Sequence, residues 1–317
     1  MAEETAYQAQ LMAARLRQLN LIGNQTPIFD KVLQDSSIEI GKLLEGMAGA
    51  NDTIKIARLT ALKRELDGII DNTVNDISNF IVKDIGQSAQ LATNGRINAG
   101  MALLYDMNPE LAQAIPRAFA KVPIDAVRAV LARAGDDGKT FSDRIWDLRN
   151  RSKSVITETV ARGVVQGTSA RNLAKQVEPY LRGMEEIKGK YTAEEQADWA
   201  NVWKQQRRKY GDMRYNSMRL ARTENNNAFR EAGVMSAEKA PWVEGVKWNL
   251  SASHPKVDIC DVYASQDVDG LGKGVYKPMN TPRDHPNGLC FLTDKVVSRE
   301  QLRDIVRQQT REILLAA

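Results

Sequence analysis

Apolar residues recur at steps of three and four across residues 56–85: Leu59, Leu62, Leu66 and Ile69, then Ile70, Val74, Ile77 and Ile81. That spacing gathers them on one face of a helix, so the stretch predicts a single long amphipathic helix with a broad apolar stripe. An earlier helix is expected from Thr26, with Pro27 at its first position, where a missing N–H costs nothing. Asn108-Pro109, Val122-Pro123 and Gly135-Asp136-Asp137-Gly138 punctuate the next stretch of chain, and the last of them is the expected domain boundary.

Beyond it, residues 141–167 read as a helix capped by Ser142 and closed by Gly163 or Gly167. Thr168-Ser169 caps a further helix that Pro179 helps to end. Thr192 with Glu195 makes a capping box. It opens a helical stretch through Trp199, Trp203 and Arg222 to about Ala232, with an interruption near Gly211. From Pro241 the period drops to two: Trp242, Val246, Trp248 and Leu250 alternate with Val243, Lys247 and Asn249, which predicts a strand with one buried face. A second strand is expected from Cys290, after a loop heavy in Gly, Pro and Asp, and a last helix starts at Ser298.

The predicted fold is therefore mostly α, with a small C-terminal α+β module and an elongated helical N-terminal region. Its expected divisions are a helical arm or bundle over 1–141, a domain over 142–297 and a C-terminal helix over 298–317. Within the domain, helices occupy 142–235 and a strand–loop–strand module 241–297. The wide apolar stripes of the N-terminal helices need a partner, either each other or another subunit.

Composition sharpens this picture in three places. Aromatics make up only 6% of the chain, so its core is expected to be aliphatic and alanine-rich, which favours helices over sheets. No stretch approaches the 18 or so apolar residues of a membrane span, and the acidic start lacks the basic and apolar parts of a signal peptide. Two cysteines in so long a chain point to a reducing compartment rather than a disulfide scaffold.

Charge is uneven. The net charge is +4, yet residues 142–230 hold 18 Lys and Arg against 11 Asp and Glu. A basic middle suits contact with nucleic acid or an acidic protein surface, and equally a solvated helix face. Lys204, Arg207, Arg208 and Lys209 gather nearly one helical turn of positive charge and are the candidate phosphate contacts.

Every His and Cys falls between His254 and Cys290. Antiparallel strands would bring their adjoining ends together, so His254, Cys260, His285 and Cys290 are candidate zinc ligands. The local spacings, six and five residues, are wider than the usual two to four or so. In a plainer reading, His254-Pro255 and His285-Pro286 are turn residues whose rings bond to carboxylates such as Asp258 or Asp284, and both cysteines are small buried hydrophobes. A nucleophilic cysteine would need a general base and an oxyanion donor, and the window identifies neither. A metal-dependent nuclease would use His254, His285, Asp258 and Asp261 around one divalent ion. Against it, no paired His or Asn stands at helix spacing.

The order of these pieces carries a resemblance. ARTENNNAF over 221–229, VKWNLSASHPKVDICD over 246–261 and DHPNGLC over 284–290 together resemble the phage head-morphogenesis family, the Mu F-like minor head proteins. The preceding GVVQGTSARNLAKQV is similar to an element that family places before its Arg-Thr-Glu helix. The resemblance covers roughly 142–297 and stops short of the N-terminal helices. One departure matters. Many members end the module with His-Pro-x-Cys-x-Cys, whereas Gly288 occupies the first Cys position here, and Cys260 stands without the second cysteine of an earlier Cys-x-x-Cys. His254 is the candidate replacement donor if zinc is bound; otherwise the module is a hydrogen-bonded clasp.

The resemblance implies a non-enzymatic minor capsid protein of the virion, located at the portal vertex or head interior and assembled in the host cytoplasm. Its implied partners are the portal protein, other head proteins and packaged DNA, with no small-molecule substrate, and its implied work is head assembly and genome packaging or delivery. The basic run 204–209 then faces DNA or the portal. Arg222 and Glu224 cannot both face an apolar core unpaired. They are expected to reach from their helix to the module, Arg222 pairing with Asp258 or Asp261 and Glu224 accepting from a histidine or a backbone N–H.

Overall fold

The computed structural model describes residues 2–187, 189–194, 211–252, 254 and 257–316. The fold is mostly α with a small α+β module. Helices α1 (Ala2–Gly23), α2 (Gln25–Met47), α3 (Leu59–Leu104), α4 (Pro109–Phe119), α5 (Val122–Ala132), α6 (Phe141–Val165), α7 (Ala170–Arg182) and the single turn α8 (Met184–Ile187) come first. After them come α9 (Met213–Lys239), strand β1 (Val243–Asn249), α10 (Ile259–Ser265), β2 (Val275–Tyr276), β3 (Phe291–Val296) and α11 (Arg299–Ala316).

Packing gathers these elements into two units, each built from separated stretches of chain. One comprises Met1–Gly23, Val82–Arg133 and Arg222–Ala317; the other comprises Asn24–Ile81 and Ala134–Ala221. These units cross the sequence-based limits at 141 and 297, because α3 and α9 each contribute to both. The apolar stripe that predicts α3 is continuous, so nothing in the pattern marks the passage from one unit to the other.

In the unit around α2, residues Phe29, Leu33, Ile40 and Leu44 are buried at helical spacing, and so are Leu173, Val177 and Leu181 of α7. Gly163 permits the close approach of α6 and α7, since a Cβ there would stand 2.1 Å from Leu173 Cδ2. Ser169 caps α7 by accepting from the Asn172 N–H, as its position before the helix predicts. The cap of α6 is Thr140 rather than Ser142: Thr140 and Asp143 satisfy each other's backbone N–H groups in a capping box. Helix α2 begins at Gln25, one residue ahead of the expected Thr26. The expected capping box of Thr192 with Glu195, and the turn holding Trp199 and Trp203, reach outside the described residues. Gly211, at φ +70°, precedes α9 in a conformation only glycine adopts freely.

In the other unit, β1 is the central strand of a three-stranded antiparallel sheet ordered β2–β1–β3. Val246 faces Tyr276, Trp248 faces Leu292, and Asn249 faces Phe291. The alternation predicted for β1 holds at Val246 and Trp248, both buried, but fails at Leu250, which lies past the strand and is exposed. Val246, Trp248, Cys260, Tyr276, Cys290 and Leu292 form one apolar cluster with Ala237 of α9. The loop-rich stretch expected over 264–288 contains β2 and the end of α10, which starts before it at Ile259. Helix α10 is started by a capping box of Asp258 and Asp261, and β2 is two residues long, too short for an alternation to register.

Candidate functional site

The pairing of Asn249 with Phe291 places the chain leaving β1 beside the chain entering β3. His254, residues 257–261 and residues 284–290 are therefore brought to the same end of the sheet, which is what antiparallel pairing of the two predicted strands requires. Cys260 and Cys290 are both free thiols and both buried.

The four candidate zinc ligands are not gathered at one point. Among the described residues, the donor groups whose atoms lie within 4.8 Å of one another are Asp258 with Cys260 and His285, and His254 with Asp258 and Asp261. His254 is drawn away by its own turn: its Nε2 lies 2.9 Å from Asp261 Oδ2 and 3.8 Å from Asp258 Oδ1. That hydrogen bond to Asp261 raises the imidazole above its ordinary range, and His254 with the Asp258 backbone N–H holds the Asp261 carboxyl low. A centre made of His254, Cys260, His285 and Cys290 does not fit this arrangement.

His285 sits on the other side of Asp258, with Nε2 3.1 Å from Asp258 Oδ2. Both histidines thus bond to carboxylates, and both cysteines are buried in the apolar cluster, as the plainer sequence reading has it. Cys260 is more than a hydrophobe, because its Sγ donates to Asp284 Oδ1 at 3.4 Å. Burial, with the adjoining Asp284 carboxylate, pushes this thiol well up. A thiol so placed is an inward donor to Asp284, not an exposed nucleophile.

Asp284 organises the second turn. Its side chain is 2% accessible and accepts from Asn226 Nδ2 at 3.0 Å and from the His285 N–H at 2.9 Å. A Cβ on Gly288 would stand 2.3 Å from Asp284 Oδ1, so the carboxylate fills the space that any other residue at 288 would claim.

The Arg-Thr-Glu helix does meet this turn, though through other atoms than expected. Arg222 donates to Asn287 Oδ1 at 3.2 Å, not to Asp258 or Asp261. Thr223 Oγ1 accepts the Asn287 N–H at 2.8 Å. Glu224 is buried and accepts from Asn227 Nδ2. The principal clasp lies further along α9. Asn226 bonds Asp284 and the Cys290 carbonyl, while Arg230 donates to the carbonyls of Cys290 and Pro282 at 3.3 and 3.0 Å. Asn226 and Arg230 stand four and eight residues after Arg222, so helical spacing was the signal that could have named them.

Sequence reasoning also missed three partners from distant helices. Arg15 of α1 donates to Asn226 Oδ1 at 2.8 Å and to the Leu289 carbonyl. Burial, with Arg230 close by, lowers its guanidinium to about 10. Tyr7 of α1 and Arg96 of α3 converge on buried Asp294 of β3, at 2.7 and 2.8 Å. No signal in the sequence joins these residues to one another. Lys204, Arg207, Arg208 and Lys209 lie outside the described residues.

No family model matches this chain, and neither a curated protein nor a solved structure matches it. Among the described residues, no helix is long and apolar enough to cross a membrane.

Proposed function

We propose that this chain is a non-enzymatic minor capsid protein of a phage, associated with the portal and acting in head assembly and in genome packaging or delivery. The reading starts from the ordered motifs of 221–229, 246–261 and 284–290. One observation supports it above the others: the Arg-Thr-Glu segment folds against the His-Pro turn, with Thr223 accepting the Asn287 N–H and Asn226 holding Asp284. Motifs assembled by chance have no reason to meet. The polar atoms around them are spent on backbone carbonyls and N–H groups, which suits a clasp that fixes one surface for docking.

The experiment is co-expression with the cognate portal and capsid proteins, followed by mass spectrometry of purified heads. The expected result is incorporation of a few copies per head, lost when Thr223→Val and Asn226→Ala are combined while free protein remains folded. Absence of the wild-type chain from heads that assemble normally overturns the reading. So does magnesium- or manganese-dependent DNA cleavage that is abolished by His285→Ala, which identifies a nuclease instead.

A further inference from the structure

Cys260 and Cys290 are both free, both buried and packed into one apolar cluster. Cys260 comes from the first turn of α10 and Cys290 immediately precedes β3, so the two mark the ends of the segment 260–290. Burial alone would make them bystanders, since free cysteines are common in protein cores. Their mutual placement says more. The two thiols share a side-chain hydrogen bond, so the sulfurs face one another. A disulfide asks for that above all, because side chains that diverge cannot be bridged without moving the backbone.

The surroundings of the pair also suit thiol–disulfide exchange. Cys260 Sγ donates to Asp284 Oδ1 at 3.4 Å, so its proton already faces an acceptor. The Arg230 guanidinium lies near both sulfurs and offsets negative charge that develops on either. We propose that Cys260 and Cys290 are a modification site, a dithiol that a small disulfide oxidant such as oxidised glutathione converts into one intramolecular disulfide. The site stays reduced in a reducing compartment and closes once the protein meets an oxidising medium.

The exchange balances in two steps. One cysteine, as its thiolate, attacks a sulfur of the oxidant, which forms a mixed disulfide and releases one glutathione thiolate. The other cysteine thiolate then attacks the protein sulfur of that mixed disulfide, forms the Cys260–Cys290 bond and expels the second glutathione thiolate. The two protons given up by the cysteines end on the two glutathione thiolates, so two thiols are oxidised and one disulfide is reduced. Both cysteines are buried, so the first step waits for the His-Pro turn to open. Asp284 loses its thiol donor in the product but keeps Asn226 Nδ2 and the His285 N–H, which hold the turn in place. The bond closes the loop 260–290 in the unfolded chain and so stabilises the folded one.

The proposal does not rest on the virion reading, and its test uses the full chain. Protein freed of reductant is incubated with oxidised glutathione under native conditions. It is then followed by intact mass, peptide mapping and a count of thiols after denaturation. The expected result is a mass lower by two hydrogens, a peptide pair joining Cys260 to Cys290, and no remaining thiol. The thermal midpoint should rise by roughly 5–10 °C and fall back on reduction with dithiothreitol. Cys290→Ala should show no such rise. Should that variant fail to fold, the comparison of oxidised and reduced wild type decides alone. Thiols that stay free, a lasting glutathione adduct, a bond between two chains, or a midpoint that does not rise on closure overturns the site.

Discussion

Arg230 lays its guanidinium 3.9 Å from the centre of the Trp248 ring, tying α9 to the central strand of the sheet. The same group donates to the carbonyls of Cys290 and Pro282, so one buried cation joins helix, strand and turn. Burial lowers its pKa, yet the flat guanidinium keeps both a ring face and two acceptors occupied.

Truncation of Arg230 should therefore be costly. Arg230→Ala is expected to lose about 3 kcal/mol or more, from orphaned carbonyls and an unfilled space beside the indole. Arg230→Lys should recover little of it, because an ammonium cannot stack and bridge both carbonyls. Urea denaturation followed by tryptophan fluorescence measures both; near-wild-type stability in Arg230→Lys would refute the stacking argument.

Asp294 should show strong coupling to its two partners. Asp294→Ala leaves Arg96 buried without its carboxylate, an expected loss of about 3–5 kcal/mol. Tyr7→Phe removes one hydrogen bond to a charged group, about 1.5–3 kcal/mol. In a double-mutant cycle the two losses should fall well short of adding. Simple additivity would mean that the hydroxyl contributes nothing through Asp294.

Gly288 is expected to reject even a methyl group. Gly288→Ala must push the Asp284 carboxylate off Asn226 and Cys260, at a cost of about 1–3 kcal/mol. Combining it with Asp284→Gly, which empties that space, should cost less than the two changes add up to. Thermal unfolding of the three variants checks this.

Glu178 gives the α7 unit an acid-sensitive element. Burial alone would raise its pKa, but hydrogen bonds from Lys190, Tyr191 and Arg182 outweigh it and hold the carboxyl below its ordinary value. A carboxyl depressed in the folded state stabilises the fold above its unfolded pKa. That stability is lost as pH falls through the folded pKa. Glu178→Gln should thus be less stable than wild type at neutral pH and flatten the stability profile below about pH 4. Denaturation midpoints measured from neutral to acid pH, with an unchanged acid limb in the variant, would exclude this role.

Much of the framework was legible from residue order alone. The 3.6-residue stripe of α3, the Ser169 cap and the period-two run of β1 all rest on neighbours within one or two turns of chain. The capping box of Asp258 and Asp261 was also open to sequence reasoning, as Asp-x-x-Asp before a short helix, but the surrounding Pro and Gly pointed to loop. At the site, the sequence placed His254, Cys260, His285 and Cys290 near one another correctly in chain terms. It could not sort them, since a turn of a few residues decides which way each side chain points.

By itself, the sequence determined the long helices α3 and α7 and the strand β1, because hydrophobic period and caps are local properties of the backbone. It also determined that all its histidines and cysteines lie between two strands, so that antiparallel pairing of those strands, once formed, brings them to one end. Only the tertiary structure decided that Asp284, not His254, faces Cys260, and that Arg15, Tyr7 and Arg96 supply the buried partners of 226–294. The contacts of Arg15, Tyr7 and Arg96 depend on buried polar and charged groups finding each other across separations of 198 to 287 residues. Burial makes such pairings obligatory, and local pattern carries no record of them.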